Sequence, residues 1–281
     1  HVLMHLEHID ADTLYKRLPG ISETAKIFAG VDLTKEPIPV LPTVHYNMGG
    51  IPTNFRTEVL RSTEDNPENV CEGLMAVGEA ACVSVHGANR LGTNSLIDLV
   101  VFGKAASETA IEKTKVDSSK IEINNHSTEQ ALDRFDKIRH YQGSSTTGEV
   151  RTKMQHIMQK KCAVFRTENL IKSGIHEFKE VENSMDNIEV NDKSLIFNTD
   201  LTETLELHNL VAQSKVTLHS ALNRKESRGA HAREDFAERD DINWLVHSLV
   251  WLSKEGLIKL GERPVHMNTL TNHVQSISPK K

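Results

Sequence analysis

The segment 78–96 constrains this chain more than any other, because it joins a strand end, a glycine-rich loop and a helix start. An apolar run at 74–77 leads to Glu79, which is typical of a buried strand that ends on a carboxylate facing a crevice. The loop contains Arg90, whose planar fork matches a carboxylate or phosphate, and an amphipathic helix is predicted over about 95–106. A helix N-terminus favours an anion or a carbonyl oxygen. This order of features predicts half of a cofactor crevice.

Composition excludes several kinds of partner. The 281 residues carry a net charge of −6, which gives no basic footprint for nucleic acid. The apolar runs are far shorter than the roughly 20 residues of a membrane span, so we expect no direct span and any membrane association through partners. The three cysteines are Cys71, Cys82 and Cys162. Because they have no CxxC spacing and form no framework of pairs, the sequence favours a reducing cellular compartment.

Hydrophobic periodicity predicts a mixed fold of the α+β or α/β class. Short helices are predicted over 9–18 and 21–29, and a hairpin over 51–61. From Thr146 the period is helical, and three amphipathic segments of roughly 20 residues predict a bundle. A strand–turn–strand pattern begins at Trp244.

Five motifs resemble those of the succinate dehydrogenase/fumarate reductase flavoproteins, in the same order and spacing. They are HYNMGGI at 45–51, GEA at 78–80, HGANRLG at 86–92, NSL at 94–96 and ESRGAHARED at 226–235. The resemblance covers about residues 15–275 and is weakest through 105–145.

The resemblance implies FAD as cofactor and assigns roles to the matched positions. Glu79 would accept hydrogen bonds from a ribityl hydroxyl, and the backbone N–H groups of Ser95 and Leu96 would face the pyrimidine oxygen of the flavin. His45 and Arg90 would bind a carboxylate of succinate. We expect no catalytic proton-transfer residue here, because the family's arginine for that step lies upstream of the matched region.

Each of these residues also has a simpler interpretation. Glu79 could be a surface carboxylate, Arg90 a structural salt-bridge residue, and His45 a histidine of the core. Asn94 or Ser95 could be an ordinary helix N-cap. For these positions the family match favours the functional interpretation.

Two other features are assigned no ligand role. The spacing of His1, His5 and His8 is helical, but nothing supplies a second ligand cluster, so we expect no metal site. Arg228 and His231, in the motif at 226–235, are expected to dock the helical region onto the flavin region.

The resemblance divides the chain into four regions. Residues 1–43 are expected to be the tail of a substrate-capping domain, 44–106 a remnant of the FAD-binding domain, 107–235 a three-helix bundle with a polar linker of helix fragments, and 236–281 a small C-terminal domain containing β-structure. No G-x-G pair occurs, so the dinucleotide fingerprint is absent. We therefore expect the C-terminal half of a flavoprotein, which binds no flavin and oxidises no succinate alone.

The implied activity is oxidation of succinate to fumarate, with electrons leaving through an iron–sulfur subunit and membrane-anchor subunits to quinone. The expected location is the cytoplasmic face of a bacterial inner membrane or the matrix face of the mitochondrial inner membrane. The alternatives are a fumarate reductase or L-aspartate oxidase relative, and an inactive structural fragment.

Overall fold

A computed structural model describes residues 1–41, 46–114 and 124–267 of this chain. The chain divides into two compact units, residues 1–45 and 46–281. Both helices and short two-stranded sheets are present, as the sequence predicts for a mixed fold. The division into four regions stays a prediction.

The first unit combines a two-stranded sheet with short helices. Strand β1 (Val2–Met4) pairs antiparallel with β2 (Ile38–Val40). Between them lie α1 (Ala11–Arg17) and α2 (Pro19–Thr24), which continues into one wider helical turn, Ala25–Ala29. The two short helices thus lie close to where the apolar pattern predicts them.

Local capping and a small core hold this unit together. The Asp10 side chain accepts a hydrogen bond of 2.9 Å from the Thr13 N–H, which satisfies one free donor at the start of α1. Leu14, Ala25 and Leu33 are buried side by side and form the centre of the core.

The second unit begins with four short strands: β3 (Ile51–Pro52), β4 (Glu58–Leu60), β5 (Val70–Met75) and β6 (Ala81–Cys82). Strand β3 pairs parallel with β6, and β4 pairs antiparallel with β5. The predicted hairpin over 51–61 is reduced to one antiparallel bridge, Thr53–Val59. The reason is local: the Asn54 side chain accepts hydrogen bonds from the N–H groups of Arg56 and Glu58 and fixes a turn instead of a ladder.

Two helices follow, α3 (Asn94–Lys113) and α4 (Asn125–His140). The predicted end of α3 near residue 106 is wrong. Its last two turns are stabilised by Thr109, which is buried and donates a hydrogen bond of 3.0 Å to the Arg56 carbonyl. Helix α4 is also longer than the fragments expected in this polar region.

The remaining helices pack together: α5 (Thr147–Lys161), α6 (Glu168–Met185) and α7 (Thr199–Asn223). These three helices lie where the hydrophobic period predicts them. Their buried faces share one apolar core, which includes Val150, Met154, Ile157, Ile171, Phe178, Val181, Leu207, Val211 and Leu218. Burial of a large apolar side chain contributes roughly 1.5–3 kcal/mol, so this core is the main source of stability in the bundle.

A capping box and a buried polar pair fix the start of the bundle. Thr146 and Glu149 cap each other's backbone at the first turn of α5. One residue on, the hydroxyl of Thr147 lies 2.7 Å from that of Thr204 in α7, and both side chains are buried. The Thr204 hydroxyl also lies 2.7 Å from the carbonyl oxygen of Asp200. The two helices are therefore joined by a polar contact as well as by the apolar core.

Two small sheets complete the unit. Strand β7 (Phe165–Arg166) pairs parallel with β8 (Ala232–Arg233). Strands β9 (Val246–Leu252) and β10 (Ile258–Pro264) form the hairpin that the strand–turn–strand pattern predicts. Within the described residues, no helix combines the length and apolar character required to cross a bilayer.

Candidate functional site

The loop between β6 and α3 has an unusual backbone, and it carries the arginine singled out in the sequence. Ser84, Gly87 and Thr93 all have positive φ, at 70°, 61° and 71°. Holding a non-glycine residue in this region costs on the order of 1 kcal/mol or more. The shape of the loop is thus imposed by its surroundings.

Arg90 lies against an aromatic ring instead of a carboxylate. Its guanidinium carbon is 5.1 Å from the ring centroid of Tyr46, a cation–π geometry. The Arg90 Nε is buried and has no hydrogen-bond partner, and no described acidic residue forms an ion pair with this side chain. Among the described residues, Arg90 therefore lacks the partner that a structural salt bridge requires.

A second pair of side chains supports the same ring. The Asp98 carboxylate accepts a hydrogen bond from His86 Nε2 at 2.6 Å, and both side chains are largely buried. The His86 ring meets the Tyr46 ring edge-on, with centroids 5.8 Å apart. Burial raises the pKa of the Tyr46 hydroxyl, and the charges of Asp98 and Glu79 raise it further against the opposing effect of Arg90. Tyr46 therefore stays neutral at physiological pH.

Glu79 occupies a single 3₁₀ turn, Gly78–Ala80, and not the end of a strand. The strand interpretation is wrong here because β5 ends at Met75, and Gly78 then takes a positive φ of 71°. The Glu79 side chain is exposed and makes no hydrogen bond or ion pair with a described residue. Its charge still acts on Tyr46. The carboxylate is therefore available to a ligand.

The backbone of Gly50 lies close to this turn. Gly50 has φ +130°, and a Cβ atom there would lie 2.7 Å from the Ala80 carbonyl oxygen. Any side chain at position 50 would thus collide with the backbone beside Glu79.

Neither Asn94 nor Ser95 is the N-cap of α3, so the interpretation of these residues as helix caps is wrong. The residue before the helix is Thr93, in a left-handed conformation and without a side-chain cap. Ser95 is buried, and its hydroxyl oxygen has no hydrogen-bond partner among the described residues. The Leu96 N–H donates to the Thr93 carbonyl at 3.0 Å, while the Leu96 side chain is exposed. The helix start therefore offers one orphaned hydroxyl, on Ser95.

Of the five residues assigned to the site from sequence, four lie in the second unit and are described. His45 lies outside the described residues, and its role stays a prediction. The charges of Glu79 and Arg90 both act on Tyr46. The sequence assigned no role to Tyr46 or Asp98. They are identified only by contacts in the folded structure: Tyr46 contacts Arg90 and His86, and Asp98 bonds His86.

The motif at 226–235 packs onto this loop through a glycine. A Cβ atom on Gly229, which has φ +58°, would lie 2.7 Å from the carbonyl carbon of Ala88. The side-chain polar contacts of His231 are to Arg166 and Arg224, and those of Arg228 are to Glu226, Asp240 and Asp241. None of these partners lies in the loop, where Gly229 makes the close contact. No side chain larger than hydrogen fits between the turn and the loop.

Behind this contact lies a buried charge cluster. Glu226 is fully buried and accepts hydrogen bonds from Arg224, from Arg228 and from the Asp240 N–H. Burial raises the pKa of its carboxyl group, but the hydrogen bonds from the two arginines and the Asp240 N–H outweigh that effect and lower it overall. Arg228 also pairs with Asp241 at 2.7 Å. Glu226 is therefore ionised and holds the turn that carries Gly229.

His231 is neutral in this environment. Its Nδ1 accepts a hydrogen bond of 2.7 Å from Arg166, and its Nε2 donates to the Arg224 carbonyl at 3.1 Å. Burial and, to a smaller extent, the nearby arginine charges lower the pKa of His231 to about 4, against the opposing effect of the hydrogen bond to the Arg224 carbonyl. Protonation would place a hydrogen on the nitrogen that accepts from Arg166.

We expect this histidine to make the folded state sensitive to acid. A folded pKa of about 4, against an ordinary value of 6.5, means that the stability contributed by neutral His231 is complete above pH 6.5 and is lost as pH falls toward 4. The free energy of unfolding should fall with a slope approaching about 1.4 kcal/mol per pH unit for each such proton. Urea unfolding at several pH values measures this slope. The His231→Asn variant should lower the slope by the contribution of one proton, about 1.4 kcal/mol per pH unit. An unchanged slope in that variant would contradict the assignment.

In the described part of the chain, no group of three or more histidine, cysteine, aspartate or glutamate side chains is arranged to hold a metal ion. Residues 2–4, between His1 and His5, form strand β1, so the helical spacing of these histidines is not realised.

Comparison with known proteins matches both parts of the chain. A family described as FAD binding domain matches residues 1–96, and one described as Fumarate reductase flavoprotein C-term matches residues 151–281. A succinate dehydrogenase flavoprotein subunit of Rickettsia conorii is 53% identical over 281 residues, which is 100% of this chain and 47% of that protein. The chain belongs to the succinate dehydrogenase/fumarate reductase flavoprotein family. FAD is therefore the cofactor that this family membership implies.

Two further matches agree with this assignment. The mitochondrial succinate dehydrogenase [ubiquinone] flavoprotein subunit of Oryza sativa subsp. japonica is 52% identical over 280 residues, 100% of this chain and 44% of that protein. A solved E. coli quinol fumarate reductase chain superposes with a TM-score of 0.82 and 37% identity, over 96% of this chain and 45% of that one. The chain thus spans about half the length of the relatives it matches.

Proposed function

We propose that this chain contributes to a flavoprotein subunit that oxidises succinate to fumarate with FAD as electron acceptor. The observation that carries the proposal is the state of Arg90, whose guanidinium stacks on Tyr46 and has no carboxylate partner among the described residues. A cation held this way is suited to bind a ligand carboxylate at two points. The identity of 53% to a succinate dehydrogenase flavoprotein subunit supports succinate as that ligand.

The residues present fit FAD. Ser95 offers a buried hydroxyl without a partner, and Glu79 offers an exposed carboxylate. The absence of a side chain at Gly50 keeps the backbone there in close contact with the turn of Glu79. In this proposal Glu79 accepts hydrogen bonds from a ribityl hydroxyl, and the turn of Ser95 and Leu96 contacts the flavin ring. Bound FAD would supply the two-electron oxidant.

Arg90 binds and orients the substrate in this mechanism. Its cationic, planar guanidinium holds one carboxylate of succinate, with His45 as the second contact. Fixed positive charge at that carboxylate also stabilises negative charge that develops in the transition state. The contacts to the second carboxylate and the proton-transfer arginine are expected from other parts of the subunit.

Electrons would leave through an iron–sulfur partner subunit, and membrane-anchor subunits would carry them to quinone. In this proposal the clusters belong to that partner and not to this chain, whose three cysteines are fewer than the four thiolates of an ordinary cluster. The complex would lie on the cytoplasmic face of a bacterial inner membrane or on the matrix face of the mitochondrial inner membrane.

A second candidate is fumarate reduction by the same site. The C-terminal family match and the E. coli quinol fumarate reductase superposition favour it. L-aspartate oxidation and a purely structural role are the remaining alternatives, and no observation on the described residues favours either.

The experiment is a substrate comparison on the complete subunit that contains this chain, purified with FAD. We expect succinate oxidation with an artificial acceptor to exceed fumarate reduction by a reduced dye, and L-aspartate to be inert. Faster fumarate reduction would favour the second candidate. Preferred oxidation of L-aspartate, or a protein that binds no flavin, would overturn the proposal.

The Ser95→Ala variant tests the cofactor contact separately. Its hydroxyl has no partner among the described residues, so removing it should leave the free energy of unfolding of the flavin-free protein unchanged or slightly raised. FAD affinity should fall by about tenfold, the loss expected for one hydrogen bond to a ligand. Ser107→Ala, on an exposed turn of the same helix, is the control. Equal FAD affinity in both variants would remove Ser95 from the flavin site.

A further inference from the structure

Four side chains form a continuous series of contacts from the interior of α3 to Arg90. Asp98, whose side chain is 5% exposed, accepts a hydrogen bond from His86 at 2.6 Å. The His86 and Tyr46 rings form a T-shaped pair with an interplanar angle of 78°. The face of Tyr46 lies 5.1 Å from the Arg90 guanidinium carbon. No described acidic side chain holds Arg90 directly, so the Tyr46 ring is the contact that orients it.

The first contact of this series is the strongest. A buried carboxylate is costly to desolvate unless it is hydrogen-bonded, and a charge-assisted bond to an imidazole meets that requirement. Because the bond ends on Nε2, it fixes the position and the plane of the His86 ring. The edge-on contact then leaves Tyr46 one favourable orientation, since aromatic pairs prefer this geometry to a face-to-face one.

We propose that Asp98 and His86 are positioning residues that hold the Arg90 guanidinium, through Tyr46, in the plane needed to bind a substrate carboxylate. This inference rests on the proposed function of Arg90 as a carboxylate clamp. Two-point recognition requires the guanidinium plane to be held within a fraction of an ångström and about 10–20°. Arg90 stands in a loop with three positive-φ residues, so neither a helix nor a strand supplies that precision.

A merely structural role for the pair makes a different prediction. If Asp98 only anchored the loop to α3, its loss would lower stability and flavin content and would affect substrate and flavin binding alike. A positioning role requires instead that dicarboxylate binding falls while flavin content is kept, and that the effect passes through Arg90. A double-variant comparison separates these outcomes.

The experiment uses the complete flavin-loaded subunit and four variants: Asp98→Asn, Asp98→Glu, Arg90→Lys, and Asp98→Asn combined with Arg90→Lys. The probe is malonate, a dicarboxylate with one methylene carbon that cannot be desaturated, titrated through the change it causes in flavin absorbance. KM and kcat for succinate are measured in parallel. Glu108→Gln, on an exposed face of the same helix, is the control.

We expect Asp98→Asn to weaken malonate binding and raise KM by about tenfold, the size of one coupling between contacting residues, with kcat changed less and the flavin-to-protein ratio unchanged. Asp98→Glu should recover most of the loss, because it restores a carboxylate at position 98 that can accept the hydrogen bond from His86. In the Arg90→Lys background, Asp98→Asn should have no further effect. The Glu108→Gln control should match the wild type.

The outcomes separate this inference from the proposed function. If Arg90→Lys binds malonate as the wild type does, Arg90 is not the clamp and both proposals are overturned. Suppose instead that Arg90→Lys weakens malonate binding. The positioning role alone is then overturned if Asp98→Asn leaves malonate affinity unchanged, if its effect adds to that of Arg90→Lys in the double variant, or if it lowers the flavin content. Should Asp98→Asn fail to fold, Tyr46→Phe and Tyr46→Leu carry the same test. The first keeps the ring and should bind malonate normally, and the second should not; wild-type affinity in Tyr46→Leu would overturn the inference.

Discussion

Replacement of Arg90 by lysine in the complete subunit should lower kcat/KM for succinate by roughly a hundredfold, about 3 kcal/mol of transition-state stabilisation. Lysine keeps the positive charge but loses the planar two-point fork, so both binding and orientation of the carboxylate suffer. Lysine also has a weaker contact with the Tyr46 ring, which lies 5.1 Å from the Arg90 guanidinium carbon. Steady-state succinate oxidation with an artificial acceptor measures the effect.

Flavin content distinguishes the explanations for such a loss. FAD should stay near its normal ratio, because the proposal assigns it to Glu79 and the start of α3. Arg61→Lys, at an exposed arginine, is the matched control and should be unaffected. Wild-type turnover in Arg90→Lys would exclude the carboxylate clamp, and a loss of flavin would identify Arg90 as a cofactor or folding residue.

Replacement of Glu226 by glutamine should destabilise the fold by about 3–5 kcal/mol, the range measured when one partner of a buried ion pair is removed. The side chain is fully buried, and glutamine would leave Arg224 and Arg228 without their shared counter-charge. Urea unfolding followed by tryptophan fluorescence measures the change. Trp244 reports on the cluster directly, since its ring lies 5.3 Å from the Arg224 guanidinium carbon.

The pH dependence gives this prediction a second test. The pKa of Glu226 is lowered in the folded state, so its stabilising contribution is complete above its ordinary value and is lost as pH falls through the lowered one. The unfolding curves of the wild type and Glu226→Gln should therefore converge in acid. Glu203→Gln, which removes a half-exposed partner of Arg151, should change stability by less than about 1 kcal/mol. A Glu226→Gln protein as stable as this control would contradict the assigned role of the cluster.

Periodic segments and motifs were accessible from the sequence alone. The three helices after Thr146 and the final hairpin follow from hydrophobic period, which depends only on neighbours along the chain. The resemblance carried by 45–51, 86–92 and 226–235 identified the family, which the comparisons bear out. Each of these features depends on residues that are close together in the sequence, so it can be recognised without the folded structure.

The boundaries that failed depend on contacts between distant residues. Helix α3 extends to Lys113 because Thr109 bonds the backbone of Arg56, 53 positions earlier. Strand β3 pairs in parallel with β6 and not with its neighbour β4, which no turn signal between them could indicate. The strand expected to reach Glu79 ends at Met75.

The sequence by itself determined the helical bundle through its hydrophobic period and the family through its motifs. The resemblance to that family then made Arg90, Glu79 and Ser95 candidates. Only the tertiary structure decided how Arg90 is held. Tyr46, which contacts Arg90, is 44 positions away in the sequence. The Asp98–His86 hydrogen bond beside the Tyr46 ring joins helix α3 to the loop that precedes it. Contact energies of this kind arise only when the folded backbone brings the groups within a few ångströms, so they leave no periodic trace in the chain.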